Sequence, residues 1–187
     1  MDDRKRIKMK RAICLLLYYG IAYWLPNSYS VLGGGKFRAF LCRRIFKKCG
    51  KNVSIERKAF FGSGRNVELG DNSGIGVGCT IPPSIKIGNN VMMAPQCFLL
   101  SSTSHRYDLV DVPMCQQGTK ENGDIVIEDD CWIGLRSIVI AGRTIRRGSI
   151  LAAGTVLVKD FPEYSIIGGN PSVLIKSRID NHIDGIK

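Results

Sequence analysis

The chain has 187 residues, of which 44% are hydrophobic, and a formal net charge of +11. This length favours one domain that is large enough to bury a core of its own. Seven cysteines are an odd number and include no CxxC pair. That pattern argues against a disulfide framework or a zinc site and favours packed thiols in a reducing compartment.

The positive charge is concentrated at the start of the chain. Residues 1–65 hold sixteen Lys or Arg against three Asp or Glu, a net +13, whereas the remainder holds eleven against thirteen, a net −2. A polyanion or an anionic surface is therefore expected to meet the protein in its first third.

A basic run at 4–11 precedes an apolar stretch at 12–26, AICLLLYYGIAYWLP. This stretch is short for a membrane span, which needs about 20 residues. The pattern also imitates a signal peptide, but the free thiols favour the cytoplasm and we do not expect secretion. Two interpretations stay open, and one helix can satisfy both. The stretch either packs over the end of the following domain or lies at a membrane interface, with Tyr and Trp at headgroup level.

Three glycines at 33–35 are interpreted as a hinge before a helix at 36–50, KFRAFLCRRIFKKCG. Apolar side chains recur there at helical spacing with Arg and Lys between them, which indicates a basic amphipathic helix that caps the next domain. No motif that reads nucleic acid accompanies the charge, so we expect no nucleic-acid partner. Residues 1–50 are therefore assigned to an N-terminal helical segment.

From residue 55 onward an apolar residue recurs at every sixth position, with two residues inserted before Leu69. A helix has no such period, and a half-buried strand alternates every two residues. A six-residue period instead predicts a parallel β-helix, in which one side chain per short face points inward and stacks on its equivalents in adjacent coils. Antiparallel strands with turns every six residues would not keep one phase for so long. The inward positions are Ile55, Phe61, Leu69, Ile75, Ile81, Ile87, Met93, Leu99, Ile127, Ile133, Val139, Ile145, Leu151 and Leu157.

The six-residue period breaks at 103–124 and resumes at Ile125. A long polar loop within so regular a structure is usually functional. His105 stands where the chain leaves the coil. An imidazole can take a proton from a hydroxyl near neutral pH and return it to a leaving group. Residues 51–178 are assigned to the β-helix with this loop excursion, and residues 179–187 to a tail.

The segment DDCWIGLRSIVIAGRTIRRGSILAAGTVLVKDFPEYSIIGGNP, with the repeats before it, resembles the hexapeptide-repeat acyltransferases. The resemblance covers roughly residues 50–178. It implies an all-β, left-handed parallel β-helix, a homotrimer, and acetyl-CoA as the acyl donor without a metal. The left-handed sense rests on the resemblance alone, because parallel crossovers are otherwise right-handed in about 98% of cases.

The same resemblance implies roles for individual residues. His105 matches the catalytic His of the family. Asp108, three residues on, is a candidate to orient the ring on the basis of its spacing alone. The backbone N–H that stabilises the oxyanion in similar enzymes matches Leu135, and one good donor of this kind contributes about 3–4 kcal/mol. The coenzyme would lie in a groove between subunits, near Lys176 and Arg178 at its phosphate end. The candidates that bind it are Trp132, Leu135, Ala153, Val158, Lys159 and Lys176.

The acceptor side departs from the sugar-specific members of the family. Maltose and galactoside acetyltransferases hold the sugar with an Asn and an Asp, and the matching positions here carry Ile75 and Pro83. The chain looks more like the O-acetyltransferases of bacterial surface-polysaccharide synthesis. We therefore expect acetyl transfer to a sugar hydroxyl of a polysaccharide or its lipid-linked precursor. The enzyme is expected in the cytoplasm or at the inner face of the membrane.

Three alternatives stay open: another acyl donor, a small-molecule acceptor, or a catalytically inactive trimer. A zinc carbonic anhydrase of this fold needs three imidazoles, and the coils offer His105 alone. That function is therefore set aside.

Overall fold

Short parallel strands, stacked so that each coil of the chain lies on the next, form most of the protein. The computed structural model describes residues 3–29, 33–100 and 103–180. Trp132 pairs with Ile150 and Ile138 with Val156, so that three six-residue repeats make one coil. The strands are β1 (Lys48–Cys49), β2 (Ser54–Ile55), β3 (Asn66–Leu69), β4 (Gly74–Ile75), β5 (Ser84–Ile87), β6 (Met92–Met93), β7 (Phe98–Leu99), β8 (Thr103–His105), β9 (Thr119–Glu121), β10 (Ile125–Ile127), β11 (Trp132–Ile133), β12 (Ile138–Val139), β13 (Thr144–Ile145), β14 (Ile150–Leu151), β15 (Val156–Leu157), β16 (Ser165–Gly168) and β17 (Val173–Ser177).

The coil has three faces. The first face holds β1, β3, β5, β10 and β13, and the second holds β6, β11, β14, β16 and the antiparallel edge strand β17. The third face holds β7, β12 and β15. One turn of the chain visits the three faces in that order, so the parallel coil predicted from the six-residue period is confirmed.

A single column of aliphatic and aromatic side chains fills the coil. All fourteen predicted inward positions are buried, and Met93 is the most accessible of them at 7%. Full burial of each such side chain contributes about 1.5–3 kcal/mol. The six-residue period thus reports the interior of the coil directly.

The corners of the coil turn through residues in the left-handed region of backbone space. Asn52, Asn72 and Asn90 have φ of 52°, 55° and 56°, a conformation that Asn tolerates better than most residues. Their side-chain amides also form a ladder, with hydrogen bonds of 3.2 and 3.1 Å from one coil to the next. Asp130 occupies the next corner in this column, and Arg178 pairs with it at 3.3 Å.

The excursion at 103–124 interrupts the coil, and the strands after it pair in register with the strands before it. Trp132 pairs on its other side with Met92, which precedes the excursion at 103–124 in the sequence. The chain of the excursion therefore leaves the coil between β7 and β10 without changing which side chains stack inside it.

The N-terminal segment covers the open end of the first coil. It consists of α1 (Asp3–Leu17), a π-helical turn at Tyr18–Ala22, and α2 (Gly34–Ile45). The buried Tyr18 hydroxyl donates to the carbonyl oxygen of Ala59 at 2.7 Å, and the Tyr18 ring lies 4.5 Å from that of Phe61. Tyr19 donates likewise to Gly62 at 2.8 Å. Within the described ranges, no helix combines the length and apolar character needed to cross a bilayer.

Two details of this segment were wrongly predicted. The helix expected at 36–50 begins at Gly34 and ends at Ile45, so two of the three hinge glycines are helical. Phe46 is extended, with φ −72° and ψ 153°, and is buried against the first coil. Lys48 and Cys49 then pair with β3. Strand pairing and burial of Phe46 outweigh continuation of the helix, so the β-helix starts at 48 instead of 51. Most of the predicted tail, 179–187, lies outside the described residues.

The cysteines are free thiols, and the three that stand two residues before an inward position are packed in the coil, in agreement with the prediction of packed thiols. Cys79, Cys97 and Cys131 are at most 1% exposed. The Cys131 thiol donates to the carbonyl oxygen of Arg146 at 3.2 Å, and burial raises its pKa to about 11. A thiol that stays protonated at neutral pH is a weak nucleophile, so Cys131 serves as part of the core.

Arg38 joins the N-terminal segment to the first coil. Its side chain is fully buried, and its guanidinium lies 3.7 Å from the Glu56 carboxylate. Burial by itself would raise the pKa of Glu56, but hydrogen bonds from Ser28 and Ser54, with Arg38 nearby, hold that pKa below its usual value. The guanidinium donates at 2.6–3.2 Å to the carbonyl oxygens of Ile55, Ala22, Leu25 and Pro26.

Replacing Arg38 with Met is expected to lower the free energy of unfolding by about 3–5 kcal/mol, because it leaves the buried Glu56 carboxylate without a cation and several buried carbonyl groups without this donor. Denaturant titration measures this change. Arg43→Met on the exposed side of the same helix is the matched control and should stay within about 0.5 kcal/mol. Equal losses in the two variants would contradict the role given to Arg38.

Candidate active site

His105 ends the first strand of an antiparallel hairpin that projects from the coil. β8 pairs with β9, and His105 lies opposite Thr119. The excursion at 103–124 therefore contains regular structure, including a 3₁₀ turn at Met114–Gln116, where the sequence indicated only a polar loop. The exposed His105 lines an open depression of about 550 Å³ together with Arg106, Tyr107, Asp108, Thr119 and Lys120.

Two amide side chains that the sequence did not single out hold this hairpin in shape. The Gln117 amide donates to the carbonyl oxygens of Leu109 and Val112 at 2.7 and 2.6 Å, and it accepts from the Leu109 N–H at 3.0 Å. Asn122 donates at 2.7 Å to the hydroxyl of Ser104, directly before His105. Each amide is followed by a glycine with positive φ, a turn signal that pointed to both positions.

Asp108 does not orient the imidazole. Arg106 donates two hydrogen bonds to the Asp108 carboxylate, at 3.1 and 2.6 Å. This bidentate pair holds the pKa of Asp108 below its usual value. Within the described part of the chain, no side chain or backbone group is hydrogen-bonded to the ring of His105.

Leu135 occupies a tight corner between the second and third faces. The Ser137 N–H donates to the Gly134 carbonyl oxygen at 3.2 Å, and Arg136 has φ of 56°, which is a type II turn with Leu135 at its second position. The Leu135 carbonyl accepts from Gly154 at 2.8 Å, whereas its N–H makes no hydrogen bond to any described residue. A donor at this corner is therefore available to a ligand.

The predicted site residues fall into two groups on one chain. The first group, Trp132, Leu135 and Ala153, lies on the second face and at its junction with the third face, and all three are exposed. We call it the groove corner. Trp132 is 49% and Leu135 43% exposed, so they offer an apolar surface with an unpaired N–H at its centre.

The second group, His105, Val158 and Lys159, lies where the third face ends. Val158 and Lys159 follow β15, the third-face strand two coils beyond β7, from which the hairpin departs. We call this group the hairpin corner. The Lys159 ammonium lies 5.4 Å from the centre of the Phe161 ring, and Lys159 itself is exposed.

Lys176 stands apart from both groups. It is exposed on β17, opposite Ile166, beyond the last coil. Arg178, two residues later, donates to Asp130 and to the carbonyl oxygen of Gly148. Its guanidinium therefore helps to hold the end of the chain against the coil.

One chain does not bring the two corners together. One whole repeat of nearly extended chain separates Leu135 from the corner at Ala141, a span of about 20 Å. Among the described residues, the depression beside His105 is lined by hairpin residues only. A complete site of the predicted kind therefore needs a groove corner and a hairpin corner from different copies.

The comparisons with known proteins agree with the repeat and with the coil. Residues 66–94 and 124–159 match a family model described as the hexapeptide repeat of succinyl-transferase. The chain is 30% identical over 141 residues to the galactoside O-acetyltransferase of Escherichia coli (strain K12), which covers 74% of this chain and 68% of that protein. The chain belongs to the hexapeptide-repeat acetyltransferases. It is therefore an acyltransferase by family.

Two further relatives bear on its function. A protein of Escherichia coli (strain K12) assigned to colanic acid biosynthesis, the acetyltransferase WcaF, is 29% identical over 147 residues, 78% of this chain and 77% of that protein. A solved galactoside acetyltransferase in complex with coenzyme A has a TM-score of 0.75 at 27% identity and covers 95% of this chain and 84% of that one. Likeness to such structures implies the left-handed sense of the coil. Among the described residues no cluster of His, Cys, Asp or Glu could hold a metal ion.

Proposed function

We propose that this protein transfers an acetyl group from acetyl-CoA to a sugar hydroxyl, with His105 as the general base. The observation that carries the proposal is the exposed His105 at the root of the hairpin, beside an open depression of about 550 Å³. The galactoside acetyltransferase neighbour with bound coenzyme A supports the donor.

The residues divide the chemistry between them. The oxygen of the acceptor hydroxyl attacks the thioester carbonyl and forms the new C–O bond. His105 accepts the proton of that hydroxyl during the attack. The Leu135 N–H stabilises the negative oxygen of the tetrahedral intermediate. His105 then returns the proton to the sulfur as the C–S bond breaks, so the ester and the free thiol leave and the enzyme is unchanged.

The groove corner and Lys residues are proposed to hold the donor. The exposed Trp132, Leu135 and Ala153, with Val158, give the pantetheine arm an apolar surface. Lys159 and Lys176 carry positive charge near the place proposed for the phosphates. Lys176 already has an interaction of its own in the structure, so we assign it a share in phosphate binding instead of the main contact.

The active assembly is proposed to be a homotrimer. The third face shows an outward apolar row, with Phe60, Phe98 and Ile138 at 45%, 46% and 36% exposed. This row lies between the two corners and would be covered by a second copy. Closed cyclic symmetry then gives every interface one groove corner and one hairpin corner. The family resemblance supports three copies.

The acceptor is proposed to be a surface polysaccharide or its lipid-linked precursor, acetylated in the cytoplasm or at the inner face of the membrane. The relative assigned to colanic acid biosynthesis supports this class of acceptor. The net charge of +13 in residues 1–65 supports an anionic surface close to the enzyme.

His105→Ala is expected to lower kcat for acetyl transfer by roughly 10²–10⁴-fold, the range for loss of a general base. Affinity for acetyl-CoA, followed by calorimetry, should change little because the base contacts the acceptor proton. Activity that survives within a few fold would show that another group is the base.

A pair of substitutions at Leu135 tests the oxyanion donor. Pro is favoured at the second position of a type II turn, and Pro95 stands at the equivalent corner one coil earlier. Leu135→Pro therefore keeps the corner while removing its N–H, and kcat should fall by about 10²–10³-fold. Leu135→Ala keeps the N–H and should leave kcat within a few fold. Similar kcat values in the two variants would refute the role of the N–H.

Mixing the two inactive variants tests whether the site is shared. Co-expressed His105→Ala and Leu135→Pro chains with different tags should form mixed trimers in which about a quarter of the interfaces pair an intact groove corner with an intact hairpin corner. Steady-state assays of the purified mixture should recover about a quarter of the wild-type activity. Mixed trimers that stay inactive would mean that each site is built from a single chain.

A further inference from the structure

The N-terminal helix has an apolar stripe on the side that faces away from the coil. Met9, Ile13 and Leu16 recur at helical spacing along α1, and Trp24 follows the π-helical turn; they are 48%, 50%, 75% and 59% exposed. We call these four residues the outer stripe. A surface helix normally turns charged or polar residues outward, so this arrangement requires an explanation.

The outer stripe is not part of the cap over the first coil. The inward side of the same segment consists of Cys14, Tyr18 and Ala22, which are 8%, 0% and 0% exposed. Leu16 is two residues from both Cys14 and Tyr18 and therefore lies about 160° around the helix from each of them. The two open interpretations of the apolar sequence thus belong to opposite sides of one helix.

Positive charge and aromatic rings surround the outer stripe. Lys5 and Lys10 are exposed near its start, and neither forms an ion pair with a described residue. At its other end the Lys58 ammonium lies 5.5 Å from the centre of the Trp24 ring. Tyr29, which is 96% exposed, lines an open depression together with Trp24.

We propose that the outer stripe lies in the headgroup region of an anionic bilayer. Its apolar side chains would enter the boundary of the acyl chains, Trp24 and Tyr29 would sit at headgroup level, and the lysines would contact lipid phosphates. A second copy of this chain is a poor occupant, because it would bring the same cations against these lysines. The exposed apolar side chains Ile13 and Leu16 lie on one side of α1 only, so the helix would lie along the surface.

Vesicle binding tests the proposal, and it requires neither donor nor acceptor, so its outcome is independent of acetyl transfer. The wild-type protein should bind vesicles that contain phosphatidylglycerol, bind pure phosphatidylcholine far more weakly, and release as salt is raised. Ile13→Gln/Leu16→Gln should weaken binding by about 30–100-fold. Lys5→Gln/Lys10→Gln should weaken it by about 30-fold and reduce its salt dependence.

The control variant is Leu174→Gln/Ile179→Gln, which removes two apolar side chains of 50% and 53% exposure from the other end of the molecule. It should bind vesicles like the wild type. Thermal unfolding of all variants should match the wild type, because every substituted side chain is exposed and Gln is a good helix former at the positions in α1.

Three results would overturn the proposal. The first is vesicle binding that survives Ile13→Gln/Leu16→Gln. The second is equal binding to neutral and anionic vesicles. The third is a change in the sedimentation of the Ile13→Gln/Leu16→Gln variant in solution, which would mean that a second copy of the chain covers the stripe.

Discussion

Stacking of each inward side chain on its equivalent in the next coil is the constraint on which the molecule depends. It fixes the interior, and through the alternation of strand residues it also fixes which side chains point outward. Trp132 faces out because Ile133 faces in. A column of this kind has two ends, and the first of them exposes an apolar layer to water. The buried Tyr18 and Arg38 attach the N-terminal segment to this end, so the segment covers the apolar layer and is part of the folding unit.

The chemistry proposed for this protein depends on a different geometry, that of corners. A corner frees backbone groups that a strand would use, and the Leu135 N–H is such a group. It also lets the chain depart from the coil and return, as the hairpin that carries His105 does. The two kinds of corner lie at opposite ends of one face. A separation of this size is the reason that the reaction is proposed at an interface between copies of the chain.

The sequence predicted the fourteen side chains that stack inside the coil, because a six-residue period fits neither a helix nor an ordinary strand. It did not single out Val67 and Ile85, which are buried as well. It also located the excursion, since a break in a strict period is easy to see. The sequence-based prediction was wrong where contacts between residues far apart in the chain determine the local structure. The helix before the coil ends at Ile45 because Phe46 packs on residues far along the chain. Asp108 pairs with Arg106 and not with His105. The sequence could not predict this pair, because side-chain geometry within a loop leaves no periodic signal.

The excursion at 103–124 leaves the stacking on either side of it in register. The packing inside the coil therefore does not depend on the length or the composition of the inserted hairpin. The hairpin is thus an insertion in a coil whose repeats pair with one another across it. A change in the length or side chains of the hairpin can therefore alter the surroundings of His105 while the stacking inside the coil stays as it is.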